Sequence, residues 1–193
     1  MSNVRSYTDK QLLDRVKSLS SYKQIPSNYW ILGVRSNEDA HNVYDDKFYL
    51  FQGEKFIMVA DGTTNAGKTA LENYQKYNKN GTFVVKSDLW FYELWKFGHH
   101  NGRMPALKQN KAIIGYRDNN KDNKIDERGS TYTGFFGINF HTVSYDKKIG
   151  FISKLIGGWS AGCQVINDVE KYYKMLNTVK SQSSISFCLL EEF

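Results

Sequence analysis

Apolar positions along the chain fall mostly into short runs separated by polar turns, and only two stretches repeat at helical spacing. Leu12, Leu13, Val16 and Leu19 follow the segment TDKQ at 8–11. That segment is a capping box, in which the side chains of Thr8 and Gln11 bond each other's backbone N–H groups. It predicts an amphipathic helix over residues 9–20, closed off before Pro26. Residues 168–176 (DVEKYYKML) predict a second helix, with Asn167 as its cap. The runs WILGV at 30–34, KFYLF at 47–51, KFIMVA at 55–60, GTFVVK at 81–86, AIIGYR at 112–117, GINFH at 137–141 and ISFCLL at 185–190 are too short for helices. They read as strands, the second and third joined by a hairpin turn at 52–54. The aromatic stretch LWFYELWKF at 89–97 fits neither period. The pattern therefore predicts a mainly β (α+β) fold with a few peripheral helices. A helical N-terminal segment, 1–28, precedes a single domain, 29–193.

Composition narrows this picture. The chain has 193 residues, 40% apolar and 15% aromatic, enough for one packed core and too much for a disordered chain. Fifteen glycines against two prolines suit many tight turns. Lys and Arg, which give a net charge of +6, are spread along the sequence. No run reads as a nucleic-acid arm; a solvated basic surface with no specific partner is the first reading, and an anionic polymer such as cell wall is the partner it would otherwise suit. The first ten residues contain no apolar signal core, and no stretch is long enough to span a bilayer. The expectation is a monomer made in a cytoplasm without an export signal and without membrane insertion.

Two cysteines cannot form a disulfide framework. Cys188 lies in an apolar run and reads as a core residue. Cys163 lies in GGWSAGCQV at 157–165, where glycines let backbone N–H groups approach a ligand. A nucleophilic thiol needs access, deprotonation and donors for an oxyanion. Asn167 and the helix after it are expected to bring a positive dipole end near the thiol. His141, at the end of the run 137–141, is the candidate base.

This arrangement resembles the L,D-transpeptidase family, whose signature is a His, a gap, and then Ser/Thr-His-Gly-Cys. Here His141 is followed by 18 residues and then Ser160, Ala161, Gly162 and Cys163. The order, His before Cys, differs from papain-like peptidases. Ala161 replaces the family's second His, the gap is one residue longer, and Gln164 and Asn167 stand nearest to where the family often carries Arg or Asn. The resemblance spans roughly residues 45–176 and is specific over 137–168. The blocks TTNAG at 63–67, HNGRMPALKQ at 100–109, RDNNKD at 117–122, GINFH at 137–141 and WSAGCQV at 159–165 are similar to blocks recurring in phage-encoded members.

The resemblance implies an L,D-transpeptidase-like β-sandwich or barrel and a cysteine enzyme acting on peptidoglycan stem peptides. It implies Cys163 as nucleophile, His141 as base, Ser160 orienting the loop, and N–H groups around Gly162 and Cys163 holding the oxyanion. Trp159, His100 and Gln164 are the expected substrate contacts, and no cofactor is required. A phage lysis enzyme implies hydrolysis, with the protein held in the host cytoplasm until a holin releases it, or carried in the virion. The alternatives are a non-catalytic wall-binding or virion protein, and a nucleotide-binding enzyme.

The nucleotide reading comes from GTTNAGKT at 62–69, which matches the P-loop pattern G-x-x-x-x-G-K-[S/T] after an apolar strand. The segment behind it is a poor, Asn/Tyr-rich helix, and no βαβ alternation surrounds it. A Thr/Asn/Gly-rich turn is the preferred identity. In DNNKDNKID at 118–126, oxygen side chains fall at the first, third, fifth and ninth places of a calcium loop: Asp118, Asn120, Asp122 and Asp126. Asn123 holds the turn position and Ile125 the apolar one, while the twelfth place is Gly129 instead of Glu, so a bidentate ligand would have to come from Glu127 or elsewhere. A structural Ca²⁺ site and a solvated Asx-rich loop are both open readings. His99 and His100 are adjacent and, in a strand, face opposite ways. His41 lies in a polar loop and receives no role.

Overall fold

The computed structural model describes residues 3–38, 42–122, 124, 126–146 and 150–193; His41, Asn123 and Ile125 lie outside these. The strands are β1 (Tyr29–Arg35), β2 (Asp46–Gln52), β3 (Lys55–Thr63), β4 (Thr82–Val85), β5 (Leu89–His100), β6 (Met104–Gln109), β7 (Ile113–Asp118), β8 (Tyr132–Gly134), β9 (Phe140–Thr142), β10 (Gln164–Ile166) and β11 (Ile185–Glu191). Eight of them close a barrel in the order β1-β11-β5-β6-β9-β10-β3-β2, with β2 returning to β1. The other three form a separate sheet, β4-β7-β8. The fold is mainly β, as the short apolar runs predict.

Three α-helices accompany the strands among the described residues: α1 (Asp9–Ser18), α2 (Lys68–Glu72) and α3 (Val169–Val179). Both capping-box bonds of α1 form: Gln11 N–H donates to Thr8 Oγ1, and Gln11 Oε1 accepts from Thr8 N–H. Such a cap contributes about 1 kcal/mol. The buried stripe Leu12, Leu13 and Val16 packs with Trp30, Phe51 and Trp90 on one side of β1, β2 and β5. The opposite side of these strands faces the main core around Trp95, Phe140, Phe187 and Tyr172. Buried on both faces, β1 therefore reads as a continuous apolar run instead of an alternating one. The cap of α3 is Asp168, whose Oδ1 accepts from Lys171 N–H at 3.0 Å. Asn167, the predicted cap, instead donates its amide to Ser153 O.

Candidate active site at Cys163 and His141

Most strand pairs in the barrel are antiparallel, but β1 and β11 run parallel, as do β9 and β10, which set His141 level with Val165 and Phe140 with Gln164. Gln164 N–H donates to Asn139 O at 2.9 Å, so the register continues one residue back and sets Cys163 beside Asn139. Side chains two apart on a strand share a face. Asn139, His141 and Cys163 thus project the same way, although 18 residues separate His141 from Ser160.

His141 is fully buried, and its Nδ1 lies 2.8 Å from Thr142 O. A carbonyl only accepts, so Nδ1 carries the proton and Nε2 keeps its lone pair. That Nε2 is buried and has no hydrogen-bond partner. The imidazole stacks on His100, with centroids 4.1 Å apart and planes inclined 24°. Asn139 Nδ2 reaches His100 Nδ1 at 3.1 Å, fixing the second ring. Burial, and then the neighbouring His100, push His141 down to about 3; burial also lowers His100.

The thiol of Cys163 donates to Gly137 O at 3.6 Å. Burial pushes it up to about 11, against a smaller lowering by the Asn139 N–H. At rest the pair is therefore thiol and neutral imidazole. The helix dipole expected to favour the thiolate is not adjacent: the three residues of β10, about 10 Å of strand, separate Cys163 from the region where α3 begins.

Ser160 organises the loop that carries Cys163. Its Oγ donates to Cys163 O at 2.9 Å and accepts from Gly162 N–H at 3.1 Å. One of the expected oxyanion donors is thus committed at rest. Gly162 has φ +127°, and a Cβ there would meet Phe83 O at 2.3 Å, so a side chain is excluded twice over. Gln164 is buried and donates to Gly162 O, supporting the loop from behind.

Cys163 lines a cavity of about 200 Å³ together with Phe83, Arg117, Phe136, Gly137 and Ala161. Trp159 does not line it; this ring packs against Tyr145, 5.8 Å away. Arg117 comes from the separate sheet. Its guanidinium lies over Phe83 and Phe136, and it donates to Gly81 O. Nothing in the local sequence around Cys163 points to Arg117, because only the packing of β7 beside the Cys163 loop brings it there. Two larger grooves, of about 530 and 610 Å³, run past Tyr92 and Glu93 and contain neither cysteine nor histidine.

Ligand atoms of His100, His141 and Cys163 all lie within 4.8 Å of one another. A shared metal would have to lie near both ring planes, about 2.0–2.1 Å from each nitrogen. Stacked rings present their lone pairs side by side, so this group suits proton transfer better than metal coordination.

The P-loop pattern is accounted for by the same loop. Gly67 N–H donates to Ser160 O, Thr69 N–H to Gly157 O and Lys68 N–H to Asn42 Oδ1. Those are N–H groups with which a phosphate cradle would bind its ligand. Gly62 lies in β3, where a Cβ would meet Val165 O at 2.5 Å. The exposed Lys68 is 3.6 Å from Glu72.

No family model, curated protein or solved structure matches this chain. The geometry of Cys163, His141 and their surroundings, with the resemblance of the sequence blocks, carries the functional argument.

Proposed function

We propose that the chain is a cysteine-dependent acyl-transfer enzyme of L,D-transpeptidase type, acting on peptidoglycan stem peptides with water as the final acceptor. The observation that carries this reading is the meeting of a thiol and an unpartnered imidazole nitrogen on neighbouring parallel strands, with the sulfur at a cavity wall. In the proposed reaction His141 Nε2 takes the Cys163 proton as the sulfur attacks a peptide carbonyl. The C–N bond then breaks, the amine leaves with the proton from His141, and a thioester remains. Water adds to the thioester, releasing the carboxylate and restoring the thiol. Because the resting pair is neutral, proton transfer belongs to the substrate-bound stage. The Arg117 guanidinium at the cavity suits the carboxylates of stem peptides.

The hydrolytic direction rests on the resemblance to phage lysis enzymes, whose task is opening the wall. The protein would then wait in the host cytoplasm for a holin, or travel in the virion. A second reading, a wall-binding or virion protein with a retired site, is favoured by the raised thiol and by the committed Gly162 N–H. Nucleotide binding is disfavoured by the engaged N–H groups of residues 67–69.

Digestion of purified sacculi separates these readings. Wild-type protein is expected to release terminal residues or open cross-links, read by mass spectrometry, and Cys163→Ala is expected to do neither. Sacculi left intact by both proteins, yet still binding them, would replace the enzyme with the binding protein.

A further inference from the structure

Between β7 and β8 the sequence offers oxygen ligands at every second place. Asp118, Asn120 and Asp122 occupy the first, third and fifth positions of a calcium loop; Lys124 offers a backbone carbonyl at the seventh and Asp126 a carboxylate at the ninth. Spacing alone makes such a cluster only an Asx-rich turn. The second observation is Asp118 itself. It is 2% exposed, and its Oδ2 is buried without a hydrogen-bond partner. A buried carboxylate oxygen with no partner is costly unless something neutralises it.

The surroundings of Asp118 add negative charge. The carboxylates of Asp126 and Asp122 lie close to it, while the backbone N–H groups of Asn120 and Asp126 donate to its carboxyl. Among the described residues no Lys or Arg forms an ion pair with Asp118 or Asp122. Among the described residues Asp126 forms an ion pair with Arg128 alone, 3.9 Å away, and the Arg128 side chain is 89% exposed. Asn120 Nδ2 reaches Asp126 Oδ2 at 2.6 Å, so the third and ninth positions already face each other. Asn120 Oδ1 and Asp122 Oδ1 accept from N–H groups of the loop and keep a second lone pair each.

We propose that residues 118–126 form a calcium site, with Asp118, Asn120, Asp122 and Asp126 as side-chain ligands and the Lys124 carbonyl completing the protein set. All five ligands are oxygens, a set that suits Ca²⁺, with its variable coordination, better than the smaller, stricter Mg²⁺. The ion would tie down a segment anchored at both ends. Arg117, at the Cys163 cavity, directly precedes the loop, and Glu127, which follows it, pairs with the buried Arg35 and accepts from Ser87. The site does not depend on the proposed enzymatic activity and can be tested without substrate.

The test is calorimetric titration of chelator-stripped full-length protein with CaCl₂, together with thermal melts and limited proteolysis. One Ca²⁺ per chain is expected, with a saturable rise in Tm and protection from cleavage within 118–129. Asp122→Asn, at an exposed position that carries no folding burden, is expected to weaken binding by about tenfold or more while leaving the calcium-free Tm unchanged. Asp118→Asn is expected to abolish the calcium response. Two results would overturn the proposal. One is wild-type protein that shows neither heat nor a Tm shift at millimolar Ca²⁺; the other is calcium binding that both variants retain at wild-type affinity.

Discussion

The ionisation of Cys163 sets how fast a small alkylating agent reacts with the resting protein. With the thiol at about 11, the thiolate fraction at pH 7 is ~10⁻⁴, against ~10⁻² for a thiol at the ordinary 9.0. The more basic thiolate is intrinsically more nucleophilic, by about tenfold over two pH units. The net expectation is iodoacetamide labelling about tenfold slower than an ordinary exposed cysteine at pH 7, and slower again because the residue is 9% exposed. The rate should climb nearly tenfold per pH unit from 7 to 10. Timed quenching and mass spectrometry of the Cys163 peptide follow this directly. Cys188, fully buried and raised well above its ordinary value, provides an internal blank. His141→Gln should barely move the curve, because a neutral imidazole contributes little charge. A labelling rate that is flat from pH 5 to 8 and collapses in His141→Gln would refute the neutral pair and establish a resting thiolate–imidazolium.

Two further outcomes follow from the same site. The folded His141 sits near 3 and the unfolded one near 6.5, so between those values only the unfolded chain binds the proton. Its contribution to stability is complete above 6.5 and declines as pH falls toward 3, by up to about 1.4 kcal/mol per pH unit. Denaturant melts across that window should show His141→Gln losing one proton's worth of slope, and an unchanged slope would mean that His141 titrates normally. Gly162→Ala adds a Cβ 2.3 Å from Phe83 O at φ +127°. It should lower stability by about 1–3 kcal/mol and abolish sacculus digestion by the fraction that still folds, whereas wild-type melting and activity would contradict the packing described here.

The sequence was most legible where one element makes its own pattern, and least where a neighbour rewrites it. The α1 capping box is local and formed as read. The stretch 89–97 fitted no period because β5 is bulged. Glu93 has φ +56°, and the pairing with β11 shifts register between Ile185 and Phe187. The bulge puts Phe91, Leu94 and Trp95 on the core side, a helix-like spacing of three and four within a strand. The polar turn at 52–54 announces the hairpin of β2 and β3, whereas nothing in the sequence announces the parallel partnership of β9 and β10. Two three-residue strands separated by a long loop carry no signal of their pairing.

The glycine-rich segment 62–69 shows the same limit from the opposite side. A P-loop pattern records where glycine permits close approach, and it is silent on what approaches. Here the N–H groups of residues 67 and 69 meet the carbonyls of Ser160 and Gly157, and the space a Cβ would fill at Gly67 holds Gly157 O, 2.3 Å away. The loop is therefore satisfied internally, and its ligand is the backbone that carries Cys163. Residues that look like a second site thus brace the first one. A substitution that widens Gly67 should act on the thiol's position before it acts on anything that binds phosphate.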